Sequence, residues 1–165
     1  MKKAYVGLGS NLGEREHLIR TAAERLNLIP GTELVRVSSL YDTKPVGDIE
    51  QPDYLNAVAL VLTELDPERL LWNLLLIERE LGRSRRRRWE PRPIDLDLIF
   101  FDNAVVEKPG LTVPHPEAHK RAFVLVPMSE LAPNLVHPVL GKTMAELLGE
   151  LKVQGSVKRK GRFWQ

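Results

Sequence analysis

The chain has no cysteine among its 165 residues, which excludes a disulfide scaffold, a thiolate zinc site and a cysteine nucleophile. No apolar run approaches the roughly 20 residues that span a bilayer, so no membrane partner is expected. Internal repeats and low-complexity linkers are absent. The first residues, MKKAYVGLGSNLG, start basic, but their apolar stretch breaks at Gly7 and Gly9, which argues against a secretory leader. A cytoplasmic location is expected. What is present, 43% apolar and 28% charged residues in 18.8 kDa, suits one packed globular domain. We place that domain at residues 1–151 and a basic tail without assigned role at 152–165.

The formal charge of +2 comes from 24 basic and 22 acidic side chains that are unevenly spread. Residues 152–165 hold five basic residues and no acidic one, so the body carries 19 basic against 22 acidic groups. Within the body, Arg83 to Arg92 packs six arginines against one glutamate. Two local clusters on an acidic body do not make an evenly basic nucleic-acid face, and no nucleic-acid partner is expected.

Hydrophobic periodicity predicts a strand over 4–9, a helix over 14–28, strands over 33–41 and 54–63, a helix over 67–81 opened by Asp66-Pro67, and a strand over 94–101. A hairpin or loop follows at Asp102-Asn103, His115-Pro116 opens a further helix, and a last one covers 144–151. Two successive strands without a helix between them argue against an all-parallel sheet. The β-α-β-β-α-β order predicts an α+β, ferredoxin-like fold with helices packed on one face of an antiparallel sheet.

The sharpest local signal is Pro91-Arg-Pro-Ile-Asp-Leu-Asp-Leu-Ile99. Alternation puts Asp95 and Asp97 on one face of an apolar strand, about 6–7 Å apart. Such a pair suits a hard cation such as Mg²⁺, which takes one or two carboxylates plus substrate phosphates. An isolated Asp-x-Asp more often marks the polar outer face of an edge strand. Here the adjoining loop with Arg83, Arg85, Arg86, Arg87, Arg88 and Arg92 supplies the opposite charge that polyphosphate transfer requires, and the balance moves to a phosphoryl-transfer site.

Other signals are weaker. Gly7-x-Gly-x-x-x-Gly13 has neither the dinucleotide spacing nor the Gly-Lys-Ser/Thr of a phosphate loop, and reads as a tight turn that could shape a pocket floor. His115 and His119 lack a third zinc ligand. His115 is read as a phosphate or nucleobase contact, and His17, His119 and His137 as surface residues. Tyr54 and Asn56 share one strand face and can stack on and hydrogen-bond to a flat heterocycle; Trp89 and Phe123 could add stacking surface or simply pack in the core. Two other classes fit these residues less well. An RNA-binding module would show exposed aromatics where this strand carries two acids. A non-catalytic ligand-binding protein on the same scaffold would have no need to keep Asp95, Asp97 and Arg92 together.

Six motifs occur in a fixed order: Gly7-x-Gly-Ser-Asn-Leu-Gly13, Ser38-Ser-x-Tyr41, Gln51-Pro-Asp-Tyr-Leu-Asn56, Gly82-Arg83, Pro91-Arg-x-x-Asp-Leu-Asp-Leu98 and Leu111-Thr-Val-Pro-His115. Together they resemble the 6-hydroxymethyl-7,8-dihydropterin pyrophosphokinase family of folate biosynthesis, over about residues 4 to 140. The resemblance implies transfer of pyrophosphate from the co-substrate ATP to the pterin hydroxymethyl group, with release of AMP. It implies that Asp95 and Asp97 hold two Mg²⁺ ions and that Arg83 and Arg92 clamp phosphates as catalytic groups. Arg83, Arg85, Arg92, Leu98, Thr112, His115 and Arg121 fall at ATP-binding positions. Thr43, Lys44, Val46, Tyr54, Asn56, Trp89 and Phe123 fall at pterin-binding positions. The chain departs from the family pattern at Lys44, Glu90 and Pro116. The expected assembly is a monomer or weak homodimer.

Charge arithmetic adds an expectation for the arginine segment. Its net +5 makes its side chains repel one another until a polyanion arrives, so the segment should order on binding nucleotide, and the resemblance implies that it then closes over the site. Hydrogen exchange of residues 84–90 should slow when a non-hydrolysable ATP analogue and pterin are both bound. Equal protection with and without them would show a preformed loop.

Overall fold

The computed structural model describes residues 1–10, 14–43, 53–82, 93–151 and 157–162. Strict alternation in β1 (Lys2–Ser10) sends Ala4, Val6 and Leu8 to one face of the sheet and Tyr5, Gly7 and Gly9 to the other. In β4 (Tyr54–Thr63), Leu55, Ala57, Ala59 and Val61 join the first face, and Val58 the second. These two strands lie antiparallel at the centre of the sheet, in register from Lys2 opposite Thr63 to Ser10 opposite Leu55. β5 (Asp95–Phe101) pairs antiparallel with the far side of β1. β2 (Thr32–Val37) and β3 (Leu40–Thr43) both pair with β4, and β8 (Val157–Gly161) pairs with β3. The strand order is β5-β1-β4-β3-β8, with β2 also beside β4.

α1 (Arg15–Leu28) buries Ile19, Ala22, Ala23 and Leu26, and α2 (Pro67–Leu81) buries Leu70, Leu74 and Ile77, all against the first face. Both helices fall within a residue of the predicted limits. α2 starts where Asp66 accepts a hydrogen bond from Arg69 N (2.8 Å) and Pro67 takes the first turn. After β5 come a two-stranded hairpin of β6 (Val106–Lys108) and β7 (Leu111–Val113), then α3 (Ala122–Leu131) and α4 (Met144–Glu150). Thr143 and Glu146 form a capping box at the start of α4.

The structure corrects several expectations. The predicted strand over 33–41 is two strands, because Ser38 interrupts the ladder. Its amide donates to Val58 O (2.8 Å) while its own hydroxyl accepts from Val58 N (2.9 Å), so the side chain takes a main-chain role and the strand is re-aimed. The helix expected to open at His115-Pro116 starts instead at Ala122, after one 3₁₀ turn over Ala118–Lys120. Helices do not keep to one face: Leu125, Met128 and Leu131 of α3 and Met144 and Leu147 of α4 build a second core with Tyr5, Val58, Ile99 and Phe100 on the other side. His137 is only 5% exposed, not a surface residue. Its Nδ1 accepts from Val139 N and Leu140 N, and its ring meets Phe100 edge-on at 5.5 Å. The tail is structured at Val157–Gly161, where it supplies the edge strand β8.

Leu74 lies fully buried between α2 and the sheet, whereas Leu75 is 50% exposed. Leu74→Ala should cost about 2–5 kcal/mol in urea unfolding. Leu75→Ala should stay within about 0.5 kcal/mol of wild type.

Candidate active site

The second face of the sheet is only partly covered. α3 and α4 pack over one end, and the other end opens into a cleft of about 520 Å³. Antiparallel pairing brings the end of β1, the starts of β4 and β5 and the end of β3 to that place. The floor is the bare backbone of β1 at Gly7 and Gly9. A Cβ on Gly7 would meet Ile99 Cδ1 at 3.2 Å, and one on Gly9 would meet Asn56 Oδ1 at 3.0 Å. The glycines are strand residues that hold the floor low, which carries out the floor role open to them in the sequence and not a phosphate loop.

Asp95 and Asp97 rise on one side of this floor, in register with Gly9 and Gly7. Asp97 is exposed and Asp95 half-buried. Tyr54, Asn56 and Thr43 rise on the other side. Asn56 is 8% exposed, and its Nδ2 donates to Thr43 Oγ1 at 3.0 Å, which fixes the amide's orientation. The roof comes from the start of α3, where Phe123 sits beside Arg121, with the guanidinium 5.5 Å from the ring centre. Lys120 and Arg121 together with the positive end of α3 give this side a cationic rim across the cleft from the two carboxylates, with the His115 ring beside it.

His115 is placed by the backbone. Its amide donates to Ile99 O (2.9 Å), and its Nδ1 accepts from Glu117 N (3.1 Å), so the neutral ring carries its proton on Nε2. Burial pushes the imidazole below its usual pKa; Asp97 opposes that shift, Arg121 adds to it and Glu117 opposes it.

Eight of the residues proposed from sequence therefore line one cleft: Asp95, Asp97, Thr43, Tyr54, Asn56, Phe123, His115 and Arg121. Leu98 instead points its side chain into the first core and does not line the cleft. Thr112 lies exposed on β7, outside the cleft lining. Arg83, Arg85, Trp89, Arg92, Lys44 and Val46 fall outside the described residues. Lys120 and Val157 also line the cleft and were missed. Lys120 had a signal, since it precedes Arg121 in a basic run; Val157 had none before the tail was placed.

A small mixed α/β domain with an antiparallel sheet, four helices among its described residues and a glycine-floored cleft flanked by acids and aromatic rings is the class these observations define. The family model for 7,8-dihydro-6-hydroxymethylpterin-pyrophosphokinase matches residues 5–133, and the chain belongs to that family. The 2-amino-4-hydroxy-6-hydroxymethyldihydropteridine pyrophosphokinase of Methylorubrum extorquens is 44% identical over 155 residues, covering 94% of this chain and 97% of that protein. The enzyme of the same name from Haemophilus influenzae is 45% identical over 138 residues, covering 84% and 86%. Among solved structures, wild-type Plasmodium falciparum HPPK-DHPS with SDX-DHP matches with a TM-score of 0.73 at 18% identity, over 96% of this chain. The chain spans about half of that structure's chain (47%), and at this identity the likeness concerns the fold alone.

The depressed His115 pKa means that, in the metal-free protein, acidification towards its folded pKa costs stability: the unfolded chain takes up the proton first, near pH 6.5. The His115 Hε1 resonance, followed by NMR with a chelator present, should titrate below pH 6.5. Asp97→Asn should lower the midpoint further and Arg121→Gln should raise it. No response to either substitution would mean that the three side chains do not face one another.

Proposed function

We infer that the protein transfers the terminal pyrophosphate of ATP to the hydroxymethyl group of 6-hydroxymethyl-7,8-dihydropterin, giving the pterin diphosphate and AMP, as a transferase of folate biosynthesis. The observation that carries this reading is the meeting, in one cleft, of a carboxylate pair from β5 with an oriented amide and two aromatic rings from β4 and α3. The strand order β5-β1-β4-β3, with α1 and α2 on one face, supports reading the core as ferredoxin-like with two added helices on the other face. Residues 1–151 together with β8, which completes their sheet, are read as one pyrophosphokinase domain, acting in the cytoplasm as a monomer or weak homodimer. No described helix is long and apolar enough to cross a membrane. A nucleic-acid reading gains nothing from a sheet face that carries two acids and is half covered by α3 and α4.

The donor set fits magnesium. Among the described residues no group of three or more His, Asp or Glu could hold a metal by itself. Two carboxylates on a rigid strand, with open cleft beyond them, match an ion that completes its shell with phosphates and water. We assign Asp95 and Asp97 as ligands of two Mg²⁺ ions, which when bound would offset the charge of the ATP phosphates. Asn56, held by Thr43, reads the polar edge of the pterin, and Tyr54 and Phe123 take its faces. Lys44, Val46 and Trp89, which lie outside the described residues, are assigned to pterin binding on the family resemblance alone. His115 through Nε2, and Arg121, receive phosphate oxygens, and Arg83, Arg85 and Arg92, which lie outside the described residues, are assigned to the same phosphates. The pterin hydroxyl oxygen then bonds to the β-phosphorus. The bridging oxygen leaves with AMP, and the hydroxyl proton is lost to the solvent of the cleft.

Incubation with Mg-ATP and the dihydropterin alcohol should yield AMP as the nucleotide product; ADP would mean single-phosphoryl transfer and sink this reading. Asp95→Ala or Asp97→Ala should lower turnover at least about a hundredfold while the fold survives. Near-normal turnover of either variant at saturating Mg²⁺ would remove the assigned ligand role.

A further inference from the structure

β8 lies beyond residues 5–133, which the family model matches, and comes from the tail to which sequence reasoning gave no role. Its register with β3 sets Val157 opposite Thr43 and Arg159 opposite Tyr41. Residues opposite one another in a sheet share a face, and Thr43 faces the cleft, where its hydroxyl holds Asn56. Val157 accordingly lines the cleft beside Thr43, while Lys158 and Lys160 point to the opposite face.

Arg159 ends in a small polar network. Its Nε donates to Ser39 Oγ at 3.0 Å. The Glu130 carboxylate accepts from Ser39 N (3.0 and 3.1 Å), from Ser39 Oγ (3.1 Å) and from Tyr41 OH (2.6 Å). Burial and the Glu130 charge push the Tyr41 hydroxyl far above its ordinary pKa, so it stays a donor. Glu130 sits on α3, two turns after Phe123. One network thus ties together β8, the strand that presents Thr43 and the helix that presents Phe123.

Resting on the pterin reading above, we propose that β8 is part of the substrate site: Val157 is a wall of the pterin slot and sets the size of substituent it admits, and Arg159 is a positioning residue that fixes the distance between the β3 wall and the Phe123 roof. Arg159 touches no substrate. It acts through Ser39 and Glu130.

The test uses the full chain, with steady-state KM for the pterin at saturating Mg-ATP and nucleotide Kd by calorimetry without pterin. Val157→Trp should raise the pterin KM by about tenfold or more, the scale of overfilling a packed wall. Arg159→Ala should raise it by about three- to tenfold, the scale of one charge-assisted hydrogen bond. Nucleotide Kd should stay within twofold for both, and Arg159→Lys, which keeps a donor on that face, should fall between Arg159→Ala and wild type. Lys158→Ala and Lys160→Ala remove the same charge from the opposite face and should leave both constants unchanged. The inference is overturned if Lys158→Ala matches Arg159→Ala, which would show that charge and not geometry matters, or if pterin and nucleotide affinity fall together. It is also overturned if Asn56→Ala raises the pterin KM while the Val157 and Arg159 variants do not; the slot is then where we read it and β8 has no part in it. Loss of pterin turnover in the wild type itself would instead remove the parent reading.

Discussion

Everything that the cleft does depends on the missing side chains of Gly7 and Gly9. β1 runs through the middle of the sheet, and its first face is filled by Ala4, Val6 and Leu8. Had the second face been filled too, α3 could have packed along the whole of it, as it does over Tyr5 and Phe100. The glycines leave that half without an apolar surface for a helix to cover. They also bring β1's backbone close to Asn56 and Ile99, at distances where any Cβ would push them aside. The cleft is therefore a place where the core was deliberately not built, and the side chains around it are held by neighbours rather than by a ligand. Asn56 is held by Thr43, Thr43 by its place between β4 and β8, and His115 by Ile99 O.

Charge is arranged around this floor by sign. The carboxylates come from a strand whose alternate residues Leu96 and Leu98 are locked in the core, so they cannot swing away from each other. The cations come from the other side, from the 3₁₀ turn and the start of α3. A rigid acid pair set across the cleft from a cationic rim presents both signs of charge to one ligand. A metal–polyphosphate carries both signs, which is the physical basis on which the proposed function places one there. The half-buried His115 registers the balance: burial and Arg121 lower its pKa, and Asp97 pulls the other way.

Much of this was legible in the chain because it depends on local pattern. The period-2 alternation at Asp95 and Asp97 was enough to put both on one face, and Asp66-Pro67 was enough to start α2. What failed depended on distant partners. Ser38 looks like an ordinary strand residue until Val58 bonds its side chain. His137 looks polar until Phe100 and His119 enclose it. Glu130 carried no signal at all, since its three donors come from Ser39 and Tyr41, some ninety residues earlier. β8 is a short basic stretch that becomes a strand only by adding to an edge that the sheet already offers.

The least visible of these long-range devices is a single extra residue in β5. The ladder to β1 pairs Val6 with Leu98 and Tyr5 with Phe100, skipping Ile99. Without that bulge, alternation would carry Asp95, Asp97, Ile99 and Phe101 to the cleft face and turn Phe100 under α1 and α2. With it, Ile99 and Phe100 both face α3, and Phe101 returns to the first core. Phe100 can then meet Tyr5 and His137 edge-on, at 6.4 and 5.5 Å, as the centre of the second core. The skipped residue also offers its carbonyl to His115 N. One inserted residue thus lets the first half of β5 serve the site and the second half serve the core, and it anchors the histidine at the junction between them.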